Sequence, residues 1–86
     1  MKPTILIVDD DTGIQFGFSE YLTNKSYVVE TASCLAEARN ALLSKHFHAV
    51  LLDLNLPDGN GLDFITDLRE DHPDVAIIVI TASGEI

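Results

Sequence analysis

The sequence predicts an α/β fold, an open, doubly wound parallel sheet, and three observations carry that expectation. Four short apolar runs are separated by three amphipathic stretches of helical period. The segments between runs are long enough for crossovers joining parallel strands. Three of the four runs end in polar residues, which such a sheet gathers at the carboxyl edge where ligands bind.

The elements follow in order. ILIV at 5–8 is apolar, β-branched and stopped by acids, the pattern of a strand buried on both faces. Ile14, Phe18, Tyr21 and Leu22 then fall on one helical face, with Thr12 as the expected N-cap. YVVETA at 27–32 reads as a second strand nearer a sheet edge. Ser33 is the expected cap of a second helix, whose inward positions are Leu35, Ala38 and Leu42. AVLLDL at 49–54 is the third strand. Leu62, Ile65 and Leu68 form the stripe of a third helix, opened by Asn60 and closed before Pro73. VAIIVIT at 75–81 is the fourth strand.

At 86 residues, with 47% hydrophobic and 22% charged residues, the chain is one ordinary globular domain at most. A chain of this size buries only about 60–65% of the surface its unfolded form exposes, so its core is modest. Five basic against 14 acidic residues give a net charge of -9, which disfavours nucleic acid and anionic membranes. A cation or a basic protein partner suits that charge better. Cys34 is the only cysteine, so no internal disulfide forms and a reducing, cytoplasmic location is expected. The first apolar run meets acids after five residues, too soon for a signal peptide, and no stretch approaches a membrane span.

The acids are the informative residues. The first strand ends in Asp9, Asp10 and Asp11, the third reaches Asp53, and the fourth ends in Thr81. Asp53 closes a run of Val50, Leu51 and Leu52, where a carboxylate loses hydration unless something pairs with it. Like charges gathered at one edge raise one another's pKa unless a cation neutralises them. With no Cys or His in the cluster, a hard ion with oxygen ligands, Mg²⁺, is the natural candidate. Asp11 and Asp58 read instead as capping or turn residues.

ILIVDDD, LLDLNLPDGNGLDFI and IIVITAS, in that order, resemble the successive signatures of response-regulator receiver domains of two-component signalling. The acid triplet and the LPDGNGL turn are similar to receivers of transcriptional activators in the nitrogen-regulator family. The resemblance implies a flavodoxin-like sheet of strand order 2-1-3-4 and makes Asp53 the phosphoacceptor for a sensor histidine kinase. It implies that Asp10 is a direct Mg²⁺ ligand, Asp9 the holder of a metal-bound water, and Asn55 the donor of a backbone carbonyl. Thr81 matches the hydroxyl that moves toward the phosphoryl group, and Ala82 keeps the entrance open. The implied partners are that kinase and an output domain, such as a DNA-binding activator, or a second receiver, in a bacterial cytoplasm. Kinase docking would involve the first helix, which carries Phe16, Phe18 and Tyr21.

The chain departs from this family in one respect. Receivers continue with a further helix, a fifth strand ending in lysine and a final helix, whereas this chain ends at GEI and has no Lys after Lys45. The expectation is a receiver domain spanning 1–86 and incomplete at its C-terminus. Strand 75–81 would then be an exposed apolar edge, and the chain would self-associate. The alternative function is a phosphorylation-independent interaction or dimerisation module, since the active-site lysine is missing.

Other readings fit less well. A haloacid-dehalogenase-like phosphatase would make Asp9 the nucleophile, but its Thr or Val position falls on Gly13 and no basic residue follows Thr81. A helix-loop-helix calcium site counted from Asp53 puts Asp58 where Gly is required. His46 and His48 flank Phe47 near a helix end, where imidazoles commonly answer the helix dipole. Cys34 reads as a small residue at a helix start.

Overall fold

The computed structural model describes residues 2–80. In chain order the elements are β1 (Thr4–Val8), α1 (Thr12–Asn24), β2 (Val28–Ala32), α2 (Leu35–Ser44), β3 (Ala49–Asp53), β4 (Asn55–Leu56), β5 (Gly59–Asn60), α3 (Gly61–Asp71) and β6 (Ala76–Ile80). Four of the strands form one parallel sheet in the order β2-β1-β3-β6, which is the expected 2-1-3-4 counted over that sheet. The short antiparallel hairpin β4–β5 is an addition to the expected elements, lying where a bare turn was read. The architecture is the flavodoxin-like one.

Strand alternation sends side chains to two unequal cores. Leu6, Val8, Val50 and Leu52 join Ala38, Leu42, Phe47, Phe64 and Leu68 in the larger core, beneath α2 and α3. Ile5, Ile7 and Leu51 form the smaller one, with Leu22 of α1 packed against it. The two central strands are thus apolar on both faces, which is why ILIV and VLL are continuous runs rather than alternating ones. β2 sits at an edge, as expected, and β6 pairs only with β3 among the described residues, leaving Ile78 and Val79 about half exposed.

Three helix readings are corrected. The N-cap of α1 is Asp11, not Thr12: its carboxylate accepts from the Gly13 and Ile14 N–H groups, and Thr12 is the first helical residue. The residue before α2 is Cys34, not Ser33, and it makes no side-chain capping bond. Ser33 instead donates its N–H to Glu37 Oε1 at 2.7 Å. On α3, Leu62 is 57% exposed, and Phe64, at 1%, fills the core beside Leu68. Leu62 is spaced three residues from Ile65 but six from Leu68, which puts it about 120° around the helix from Leu68, whereas Phe64, four residues before Leu68, shares its face. The α1 face is also shallower than expected. Phe18 and Tyr21 stay exposed because no second helix shares their side of the sheet among the described residues.

Truncating Phe64 to Ala therefore costs about 3–5 kcal/mol, the usual range for a buried aromatic. Leu62→Ala changes stability by no more than about 0.5 kcal/mol, as exposed sites do. Urea unfolding of the two variants checks the assignment, and equal destabilisation would overturn it.

Candidate functional site

The parallel register assembles the site. Val8 of β1 lies opposite Leu52 of β3, so the next residues, Asp9 and Asp53, leave the sheet side by side at its carboxyl edge. Asp9, Asp10 and Asp53 each offer a carboxylate oxygen, and these oxygens lie within 4.8 Å of one another. Asp9 and Asp53 are buried, at 1% and 5% exposure, whereas Asp10 faces solvent.

Backbone donors hold part of this charge. Asp9 Oδ1 accepts the Asp11 N–H at 2.9 Å, and Asp53 Oδ1 accepts the Asn55 N–H at 3.2 Å. The second oxygen of Asp9 is buried and has no hydrogen-bond partner among the described residues. Such an orphaned acceptor ordinarily costs about 1–3 kcal/mol. Burial, the largest influence, pushes the Asp9 carboxyl above its ordinary 3.8, and the charges of Asp53, Asp10 and Asp11 add to the rise against the Asp11 hydrogen bond. Among the described residues no cationic side chain forms an ion pair with any of the three acids.

The donor set fits a hard divalent cation. All three side chains supply oxygen, one buried oxygen lacks a partner, and Asn55 lines the same open cleft as Asp10. Mg²⁺ takes such a set, one or two carboxylates with the remaining positions left to water and phosphate oxygens. Thr81, expected here, lies outside the described residues, as does Ala82. The histidines stand apart from the cluster: His48 Nδ1 accepts the Thr4 N–H at 3.0 Å, and its ring meets His46 edge-on.

Two supporting residues escaped the sequence reading. Gln15 of α1 donates its side-chain amide to the Asp9 carbonyl at 2.5 Å and to the Ala32 carbonyl at 3.2 Å, tying the ends of β1 and β2 to the helix. Its signal is a polar residue beside Ile14 on the partly buried flank of α1. Asp58, read as a turn residue, accepts from the Leu35 N–H at 2.8 Å and the Ala36 N–H at 3.0 Å, so it caps α2 from 22 or more residues away in the chain. Those two donors hold its carboxyl below the ordinary range. Gly61, which starts α3, is required by crowding, since a Cβ there would come within 2.8 Å of Leu54 Cα.

The two shifted acids respond oppositely to pH. A raised carboxyl binds its proton more tightly in the folded state, so the Asp9 contribution is fully present below pH 3.8 and is lost as pH rises through its folded value. The Asp58 contribution is present above 3.8 and is lost as pH falls through its lowered value. Asp9→Asn is therefore expected to stabilise the metal-free protein at pH 7, with the advantage narrowing toward pH 4. Mg²⁺ at about ten times its Kd adds roughly 1.4 kcal/mol to the parent and much less to Asp9→Asn. Thermal unfolding across pH with and without Mg²⁺ checks both; a parent more stable than Asp9→Asn in EDTA at pH 7 would refute the first.

The response regulator receiver domain family profile matches residues 5–86. The chain is 36% identical over 83 residues to the photosynthetic apparatus regulatory protein RegA of Cereibacter sphaeroides, covering 96% of this chain and 45% of RegA. It is 39% identical over 85 residues to the transcriptional regulatory protein SrrA of Staphylococcus aureus, covering 99% of this chain and 35% of SrrA. The chain thus spans less than half the length of these relatives. The crystal structure of the response regulator TrrA from Thermotoga maritima in complex with Mg²⁺–BeF superimposes with a TM-score of 0.87 at 34% identity, covering 95% of this chain and 70% of that one. On its sheet order, its carboxyl-edge acids and these likenesses, the chain belongs to the response regulator receiver domains of two-component signalling.

Proposed function

We propose that this domain accepts a phosphoryl group on Asp53 from the phosphohistidine of a sensor histidine kinase, with Mg²⁺ held by Asp10, Asp53, the Asn55 carbonyl and, through water, Asp9. The observation that carries this reading is the buried carboxylate pair at the ends of β1 and β3, with one Asp9 oxygen unpartnered and Asp10 open to solvent beside it. The Mg²⁺–BeF complex of TrrA supports it from a related chain.

The chemistry asked of the residues is positioning and charge control. A free Asp53 oxygen attacks phosphorus in line with the leaving imidazole. The P–N bond breaks, and its electron pair leaves on the imidazole nitrogen, which is then protonated. The Asn55 N–H on Asp53 Oδ1 restrains the carboxylate and leaves its other oxygen as the nucleophile. Mg²⁺, held by Asp10, Asp53 and the Asn55 carbonyl, would supply positive charge that offsets the repulsion between the carboxylate nucleophile and the phosphoryl group. Water later hydrolyses the acyl phosphate and resets the switch. The family resemblance assigns Thr81 the switch hydroxyl, through which phosphorylation shifts the population of a second conformation. That shift would reach an output domain, for transcription regulation as the name of SrrA implies for that protein, or a second copy through β6, which pairs only with β3 among the described residues.

Intact-protein mass after incubation with Mg²⁺ and acetyl phosphate tests the assignment. The expected result is one phosphoryl adduct on the parent, none on Asp53→Asn, and none on the parent in EDTA. A folded parent that takes no adduct would remove the phosphoacceptor reading and leave an interaction module.

A further inference from the structure

The segment between Asp53 and α3 has little to hold it. Its β4–β5 ladder pairs only Asn55 with Asn60 and Leu56 with Gly59, too few bonds to be stable alone. Yet this segment carries Asn55, which lines the cleft with Asp10, and its place must be fixed from outside. The C-terminal end is fixed by Asn60, which caps α3 through the Leu62 N–H at 2.7 Å, and by the Gly61 N–H bond to the Leu54 carbonyl. Buried Leu56 holds the middle.

Asp58 at the hairpin tip supplies the remaining anchor. Its two oxygens take separate backbone donors, Leu35 and Ala36, on the first turn of α2. Beside it Gly59 lies so close to Leu35 that a Cβ would come within 2.8 Å of the Leu35 side chain. The need is mutual. Cys34, at the N-cap position of α2, provides no side-chain cap for those same donors, so the helix start and the hairpin satisfy each other.

We propose that Asp58 is a positioning residue for the cation site: by clasping the first turn of α2 it holds the hairpin so that the Asn55 carbonyl can complete the set formed with Asp10 and Asp53. The proposal rests on the reading of the acid cluster as a Mg²⁺ site. The low-lying carboxyl of Asp58 keeps the clasp ionised throughout the neutral range. Residues that orient metal ligands from the second layer typically control affinity 10–100-fold.

The bland counterpart is that Asp58 merely caps α2, and a substitution elsewhere separates the two. Cys34→Ser offers α2 a local cap, since serine at the N-cap can accept from the same turn. Mg²⁺ affinity by calorimetry, the urea midpoint and amide exchange of residues 54–60 are measured on the 86-residue parent, Asp58→Ala and Asp58→Ala/Cys34→Ser. Asp58→Ala is expected to bind Mg²⁺ about 10-fold more weakly while folded, with faster exchange over 54–60. The double variant should regain the urea midpoint but neither the affinity nor the slow exchange. Unchanged affinity in folded Asp58→Ala, or affinity recovered in the double variant, would reduce Asp58 to a helix cap. If Asp58→Ala does not fold, Asp58→Asn, which keeps one acceptor oxygen, carries the same comparison with a smaller expected loss. A parent whose Mg²⁺ binding is absent, or survives Asp10→Asn/Asp53→Asn, would sink the cation site itself and this inference with it.

Discussion

Repulsion among the carboxylates of Asp9, Asp10 and Asp53 is the constraint around which the rest of this molecule is arranged. Two of them are buried, their oxygens sit within 4.8 Å of one another, and no described cationic side chain answers them. Folding could have relieved the repulsion by turning one strand end outward. It does the opposite, because β1 and β3 are neighbours in a parallel sheet whose register carries Asp9 and Asp53 to the same edge. Hydrophobic burial of Leu6, Val8, Val50 and Leu52, each at 0% exposure, opposes the electrostatic cost. At about 1.5–3 kcal/mol per fully buried side chain, those four residues outweigh the roughly 1–3 kcal/mol of an orphaned oxygen. The strained edge is affordable because it is built on the best-packed part of the sheet.

The residues around the edge then limit how far the acids can relax. Gln15 ties the Asp9 carbonyl to α1, the Asp11 N–H holds one Asp9 oxygen, and the Asn55 N–H holds one Asp53 oxygen. Each contact uses a neutral donor, which orients a carboxylate without cancelling its charge.

The central strands and the acid pair were legible in the sequence for a simple reason: an apolar run buried on both faces has few other interpretations, and an acid at its end is conspicuous. The second-layer residues were less so. Asp11 could be read as a cap because it acts on donors two and three residues away. Asp58 acts on donors 23 and 22 residues back, a partnership that exists only once the hairpin after β3 reaches the start of α2. Ser33 lost the cap of α2 to it despite the better local chemistry. Leu62 and Phe64 illustrate another limit. Spacing fixes the period of a helix, but its phase against the sheet is decided by which side chain finds room, and the larger Phe64 fills the space beside Leu68 and Arg39, whose guanidinium lies 5.1 Å from the ring.

The charge of the whole chain points the same way as its edge. Of the five basic residues, Arg39 is paired with Asp67, Lys45 with Glu30, and Lys25 lies over the Tyr21 ring, so little internal positive charge is left for an excess of nine negatives. Among the described residues nothing neutralises the acid pair, and under the proposed reading a cation does so. Linkage then makes the dependence reciprocal. Under the proposed function, a phosphoryl group on Asp53 would add negative charge and oxygen ligands beside the acids, so phosphorylation would tighten cation binding by the same factor that the cation favours the phosphorylated state. On that reading, an edge left electrostatically unsatisfied would let a charge change at Asp53 reach the groups bonded to the ends of β1 and β3, the Gln15 amide on the Asp9 carbonyl and the Asn55 N–H on Asp53 Oδ1.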